Sequence, residues 1–100
     1  MVTNEYIEKE DCCLIRITNN SGEVVDCIIN KEDVEKCKLV KFSFRTDKQG
    51  HKRVRILSPE EMNLMPIYHY IFKKPEKGFC IDHINQEPLD NRKCNLREVT

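Results

Sequence analysis

Near the end of this 100-residue chain an acid stands beside a histidine, Asp82-His83, after the apolar approach Phe79-Cys80-Ile81. A polar loop then leads to Asn95-Leu96-Arg97. These residue types at this spacing suit phosphodiester hydrolysis. A water must lose a proton, the phosphorane charge must be neutralised, and the departing 3′ oxygen must be stabilised. A neutral imidazole does the first and a divalent cation does the others. Asp82 is a hard oxygen ligand suited to Mg²⁺ or Mn²⁺, and His83 is a general base one residue on. Asn95, on the returning strand, is placed to fix the His83 ring through an amide hydrogen bond. Neighbours in a regular strand point to opposite faces, so the pair can flank one phosphate only where the strand ends or distorts. The loop that starts at Asn85 supplies such a place.

The elements that must position these residues can be read along the chain. Residues 1–11 are polar and acidic, a loose end. Cys12 to Thr18 is a β-branched, apolar run, Asn19-Asn20-Ser21-Gly22 is a turn, and Glu23 to Asn30 is a second apolar run, which predicts a hairpin. Asn30 is the expected cap of a short helix over Lys31 to Lys38, with Glu32 and Asp33 favoured in its first turn and Val34 and Cys37 facing the core. Val40 to Arg45 alternates as a half-buried strand does, and Thr46 to Gly50 turns the chain back into Lys52 to Ile56. In this second hairpin Val40, Phe42, Phe44, Val54 and Ile56 point inward, and Lys41, Arg45, Arg53 and Arg55 point out. That outer face is a basic ribbon fit for a phosphate backbone, and equally an ordinary solvated face.

Ser58-Pro59-Glu60-Glu61 has the form of a helix start, and Leu64 to Phe72 continues as a helical stretch interrupted at Pro66, with Ile67, Tyr70 and Ile71 on one face. Phe79 to Ile84 is a strand, 85–94 a polar loop with one helical turn, and Asn95 to Val99 the last strand. The expected class is α+β in a single domain: a loose 1–11, a β-rich 12–57 with one short helix, and 58–100 with a helix and two further strands.

Composition sets the outer bounds. Hydrophobic residues make up 39% and charged residues 34%, which describes a soluble globular chain lean in apolar content. No apolar run approaches the roughly 20 residues of a membrane helix. Met1 to Asp11 carries four acids and one lysine, the opposite of a signal peptide, so a cytoplasmic location is expected. The six cysteines include no Cys-x-x-Cys pair and read as small buried apolar residues. The best zinc alternative, Cys80 with His83 and Cys94, lacks a fourth ligand. Net charge is zero, yet residues 1–40 hold five Lys/Arg against nine Asp/Glu, and residues 41–100 hold twelve against eight. Positive charge, which a phosphate backbone requires, thus gathers in the half that carries Asp82 and His83.

Gly78-Phe79-Cys80-Ile81-Asp82-His83-Ile84-Asn85, followed by Pro88-Leu89-Asp90-Asn91-Arg92 and Asn95-Leu96-Arg97-Glu98-Val99-Thr100, resembles the HNH endonucleases, and most closely the phage and intron-borne homing type with a ββα-metal active site. Tyr68-His69-Tyr70-Ile71 is similar to the His-containing helix that precedes the motif there, and Lys31-Glu32-Asp33 to that branch's short helix. The resemblance spans roughly residues 23–100 and is specific from Gly78 onward.

The resemblance implies Asp82 as the first metal ligand, His83 as the general base and Asn95 as the residue that orients it. His69 matches a family histidine with a structural or DNA-contacting role, and Asn91 belongs to the same motif loop without an assigned role. Lys41, Arg53, Arg55, Arg92, Lys93 and Arg97 would hold double-stranded DNA, with one Mg²⁺ or Mn²⁺ as cofactor. In two places the chain departs from the pattern. Gln86 stands where the family usually has glycine, and the chain reaches Thr100 before the helix that bears the last metal ligand in the family. The expectation is therefore a truncated form with a weakly held ion, able to self-associate through Ile81, Ile84, Leu96 or Val99. The alternative expectation is a non-catalytic DNA-binding or interaction module.

Overall fold

The computed structural model describes residues 1–57 and 65–100; the helix start expected at Ser58 to Glu61, and Leu64, lie outside the described residues. The fold is α+β, with three small antiparallel sheets and short helices. The first sheet has strands β1 (Thr3–Glu8), β2 (Cys13–Thr18) and β3 (Val24–Ile29) in that order. Residues 3–8, expected as part of a loose end, are thus an edge strand in full register with β2, from Thr3 opposite Thr18 to Glu8 opposite Cys13. Their alternation is masked in the sequence by Asn4, which ties β1 to the next sheet. Its Nδ2 donates to the Phe42 carbonyl at 2.9 Å, and the Phe42 N–H donates to its Oδ1 at 2.8 Å. The amide thereby completes β4 as a neighbouring strand would.

Strand β2 is central, and its alternation is the clearest in the chain: Cys13, Ile15 and Ile17 are buried, and Arg16 points out to an ion pair with Asp26 at 2.9 Å. Opposite them, Val25, Cys27 and Ile29 of β3 face the same core. A 3₁₀ turn (Lys31–Asp33) and helix α1 (Val34–Cys37) follow, with Val34 and Cys37 buried. Asn30 makes no side-chain cap there; its Oδ1 instead accepts the Lys93 N–H at 2.7 Å, a contact to the far end of the chain.

The second hairpin pairs β4 (Phe42–Thr46) with β5 (Lys52–Ile56). Phe42, Phe44 and Val54 enter the core, with Val40 and Ile56 packed against it. The two hairpin turns share one device. Asn19 and Asp47 each accept two downstream backbone N–H groups on Oδ1, and Gly22 and Gly50 follow at φ +87°. Only glycine takes that backbone angle without a Cβ clash.

Helix α2 (Ile67–Ile71) starts after Pro66 and buries Ile67 and Ile71; the Tyr70 hydroxyl donates to the Lys36 carbonyl at 2.8 Å and pins α2 against α1. The third sheet is the hairpin of β6 (Cys80–His83) and β7 (Leu96–Val99). A second 3₁₀ turn, Lys93–Asn95, leads into β7. Of the four residues expected to be left bare on this hairpin, Leu96 is buried, Ile81 and Val99 are half-buried, and Ile84 is exposed. Among the described residues no helix is long and apolar enough to cross a membrane.

Candidate active site

The β6–β7 register sets Asp82 opposite Arg97 and His83 opposite Leu96. Strand β6 ends at His83, where the chain turns: the Gln86 N–H donates to the His83 carbonyl at 2.9 Å, and Gln86 sits at φ +64°. That is left-handed backbone, the conformation glycine adopts most freely. The glutamine therefore occupies a glycine-type position at some cost in strain.

Asn95 holds the loop. Its Oδ1 accepts the Asn85 N–H at 3.0 Å, and its Nδ2 donates to Asn85 Oδ1 and to the Asp90 carbonyl, each at 2.9 Å. The hydrogen bond expected from Asn95 to the His83 ring is not made, because the Asn95 amide is already used on the loop backbone. The ring is met by Asn91, whose Oδ1 lies 2.9 Å from His83 Nε2. Asn91 is fully buried, and its Nδ2 donates to the Pro88 carbonyl at 3.1 Å and to Cys27 Sγ at 3.2 Å. A carbonyl can only accept, so the Pro88 contact fixes which end of the amide is Nδ2 and leaves Oδ1 facing the imidazole. In the neutral ring Nε2 then carries the proton, and Nδ1 is the lone-pair nitrogen. Nδ1 has no hydrogen-bond partner among the described residues.

Strand β3 sets Asn91 in place. The Ile28 N–H donates to the Leu89 carbonyl at 2.7 Å and the Asn91 N–H donates to the Ile28 carbonyl at 2.8 Å, so residues 89–91 dock on β3 through a single parallel bridge at Asp90. Cys27, behind Asn91, is buried, and loss of water pushes its thiol up to about 12. It stays a neutral thiol.

His83 and Asp82 line one open cavity of about 290 Å³ together with Arg53, Ile81, Gln86 and Pro88. The adjacent acid and histidine share a cleft although they alternate, because β6 ends at His83. Tyr68 packs edge-on against the His83 ring, with centroids 5.3 Å apart, and edge-on against His69 at 4.9 Å. His69 thus backs the tyrosine and does not line the cleft. Burial, then the nearby Lys74 charge, pulls its pKa below the ordinary histidine value, so it is neutral near pH 7.

The six basic residues expected to hold a backbone divide by their partners. Arg92 is chelated by Asp90, at 2.8 and 2.7 Å, and this guanidinium holds the Asp90 carboxyl below the usual carboxylate range. Lys93 pairs with Asp33 at 3.1 Å and Glu32 at 3.3 Å, and Arg97 with Asp82 Oδ2 at 3.0 Å. Arg53 pairs with Asp47 at 3.2 Å while lining the cleft. Lys41 and Arg55 have no acidic partner among the described residues. The sequence did not single out Asn91 as the partner of His83, nor Tyr68 and Cys27 as their supports, since no local pattern links positions on separate elements.

Among the described residues no three His, Cys, Asp or Glu side chains gather as a metal-holding set. Cys80 and Cys94, expected to be buried with the other cysteines, are exposed, and Cys12 is half-buried. Asp82 is a single hard carboxylate donor in the cleft, of the kind Mg²⁺ and Mn²⁺ take. Its Oδ2 accepts from Arg97, and Oδ1 accepts from no described residue. Such ions keep most of their waters and are held by one or two carboxylates plus substrate phosphates.

Comparison with protein-family models, with curated proteins and with solved structures gives no match.

Proposed function

We propose that the cleft around His83 hydrolyses phosphodiester bonds in double-stranded DNA, in the manner of the HNH endonucleases that residues 78–100 resemble. The observation that carries this is the hydrogen bond from His83 Nε2 to Asn91 Oδ1. It commits the proton to Nε2 and leaves Nδ1 as a base, in a cleft that also holds a carboxylate and a guanidinium. A base fixed in one tautomer by a buried partner is what proton abstraction from water requires. Gln86 in a glycine-type backbone conformation, at the place where the resembled motif has glycine, supports the same correspondence.

In this mechanism a phosphate enters the cleft beside Arg53, whose charge offsets that of the phosphate oxygens. His83 Nδ1 takes a proton from the attacking water while Nε2–H remains bonded to Asn91. Tyr68 restrains the ring from its edge, and Arg97 holds the Asp82 carboxylate in place. Asp82 Oδ1 is the donor this chain offers to Mg²⁺ or Mn²⁺, which when bound would neutralise phosphate charge and stabilise the leaving 3′ oxygen. The products are 5′-phosphate and 3′-hydroxyl ends.

The Asp82–Arg97 pair favours a second possibility, a non-catalytic DNA-binding module, because the guanidinium competes for the carboxylate a metal would need. Incubation with supercoiled plasmid and Mg²⁺ or Mn²⁺ separates the two. Nicking that His83→Ala abolishes supports hydrolysis. Salt-sensitive duplex binding without nicking in either metal would establish the module instead. Self-association through the exposed Ile84 side of the β6–β7 hairpin is part of the same proposal, and sedimentation reads it.

A further inference from the structure

Beside the His83 cleft lies a second cavity of about 310 Å³, lined by Arg45, Asp47, Arg53, Val54, Arg55, Pro66 and Tyr68. Arg53 and Tyr68 connect the two: Arg53 lines both cavities, and Tyr68 packs on the His83 ring. Register explains the cluster. Arg45 is opposite Arg53 and Ser43 is opposite Arg55 on the β4–β5 ladder, so Arg45, Arg53 and Arg55 project from one face of a two-stranded sheet. Diagonal neighbours on such a face are about 7–8 Å apart, within mutual reach of long side chains.

Asp47 offsets Arg53, whereas Arg45 and Arg55 face the cavity with no acidic partner among the described residues. Arg55 Nε is also buried and makes no hydrogen bond to any described residue. A buried donor left unpaired and two unneutralised like charges on one wall are each unfavourable. A single anion bound between the two guanidinium groups would offset their repulsion. Burial, and then the Arg45 charge, lower the proton affinity of Arg55, in line with that unrelieved repulsion.

We propose that Arg45 and Arg55 form a phosphate subsite, distinct from the His83 cleft, that takes a phosphodiester flanking the one under attack. The occupant follows from the chemistry: a guanidinium pair matches the several oxygens of a phosphate, and Arg53 leads directly from this cavity to the His83 cleft. The assignment to a flanking DNA phosphate rests on the nuclease proposal above. The anion site itself does not.

The test follows the Arg55 Nε–H resonance by NMR in the full chain during titration with inorganic phosphate, and separately with a short duplex. The expected result is a saturable shift with both ligands, at much lower concentration for the duplex, and about tenfold weaker phosphate binding in Arg45→Gln. Each of Arg45→Gln and Arg55→Gln should also reduce the salt dependence of duplex binding by about one phosphate contact. A shift with phosphate and none with duplex would overturn the flanking-phosphate assignment. The subsite as a whole is refuted if Arg55 responds to neither ligand. It is refuted equally if the resonance ignores phosphate but moves in Glu60→Gln/Glu61→Gln, which would show the chain's own acids filling the place. Plasmid nicking by His83→Ala is a separate readout: nicking unchanged in that variant removes the nuclease proposal and leaves a measured phosphate site standing.

Discussion

His83 and Asn91 are eight positions apart in the chain and meet through Nε2 and Oδ1 at 2.9 Å, with the Pro88 carbonyl holding the other end of the amide. The loop that carries Asn91 is itself paired to β3, so the state of the imidazole depends on a strand some 60 residues upstream. Asn91 lies 64 positions from Cys27, its contact on that strand.

The tautomer is directly measurable. Nitrogen–proton correlation spectra should show the His83 proton on Nε2 in the native protein. Asn91→Ala should lose that preference and, by leaving buried polar groups unpaired, lower stability by about 1–3 kcal/mol in urea unfolding. A proton found on Nδ1 would contradict the assigned geometry.

Gln86 carries strain that glycine would not. Gln86→Gly should raise stability by about 1 kcal/mol, since a left-handed residue with a Cβ costs about that much. The turn's hydrogen bond to the His83 carbonyl is a backbone contact and survives the change. Unchanged or reduced stability in chemical denaturation would argue against the left-handed turn.

Acid should loosen this loop through Asp90. Arg92 holds the Asp90 carboxyl below its ordinary range, with Asn85 adding a further hydrogen bond. A carboxyl lowered on folding contributes stability that is fully present above its unfolded value and is lost as pH falls through the folded one. The acid limb of the stability curve should therefore flatten in Asp90→Asn, which urea midpoints taken between neutral and strongly acid pH would register.

The thiols should divide by burial. Cys80 and Cys94 are exposed, whereas Cys13, Cys27 and Cys37 are buried, with burial pushing Cys27 and Cys37 up to about 12. Pulsed alkylation at pH 8 followed by peptide mass mapping should label Cys80 and Cys94 first and the three buried thiols only after unfolding. Early labelling of Cys27 would mean that the Asn91 pocket is open.

The N-terminal strand should matter to stability. Asn4→Ala removes two hydrogen bonds to Phe42, at about 1 kcal/mol each. Thermal unfolding should shift accordingly, and a chain with a dispensable N-terminus would show no shift.

The sequence by itself determined the elements whose patterning is local. The alternation of β2, β4 and β5, the Asn19–Gly22 and Asp47–Gly50 turns and the inward Val34 and Cys37 follow from side-chain period and turn chemistry, whereas burial, expected of all six cysteines, holds for Cys13, Cys27 and Cys37 and not for Cys80 and Cys94. Asp82 and His83 stand out as a pair because they are adjacent. Tertiary structure decided what each of them touches. Asn95, expected at the imidazole, is consumed by the loop backbone, and Asn91 takes that contact because β3 grips residues 89–91. Asn30, expected to cap a helix, reaches the Lys93 amide, and Asn4 turns an acidic end into a strand. An amide side chain can donate or accept in any direction, and only the packed chain says which buried backbone group is left for it to satisfy.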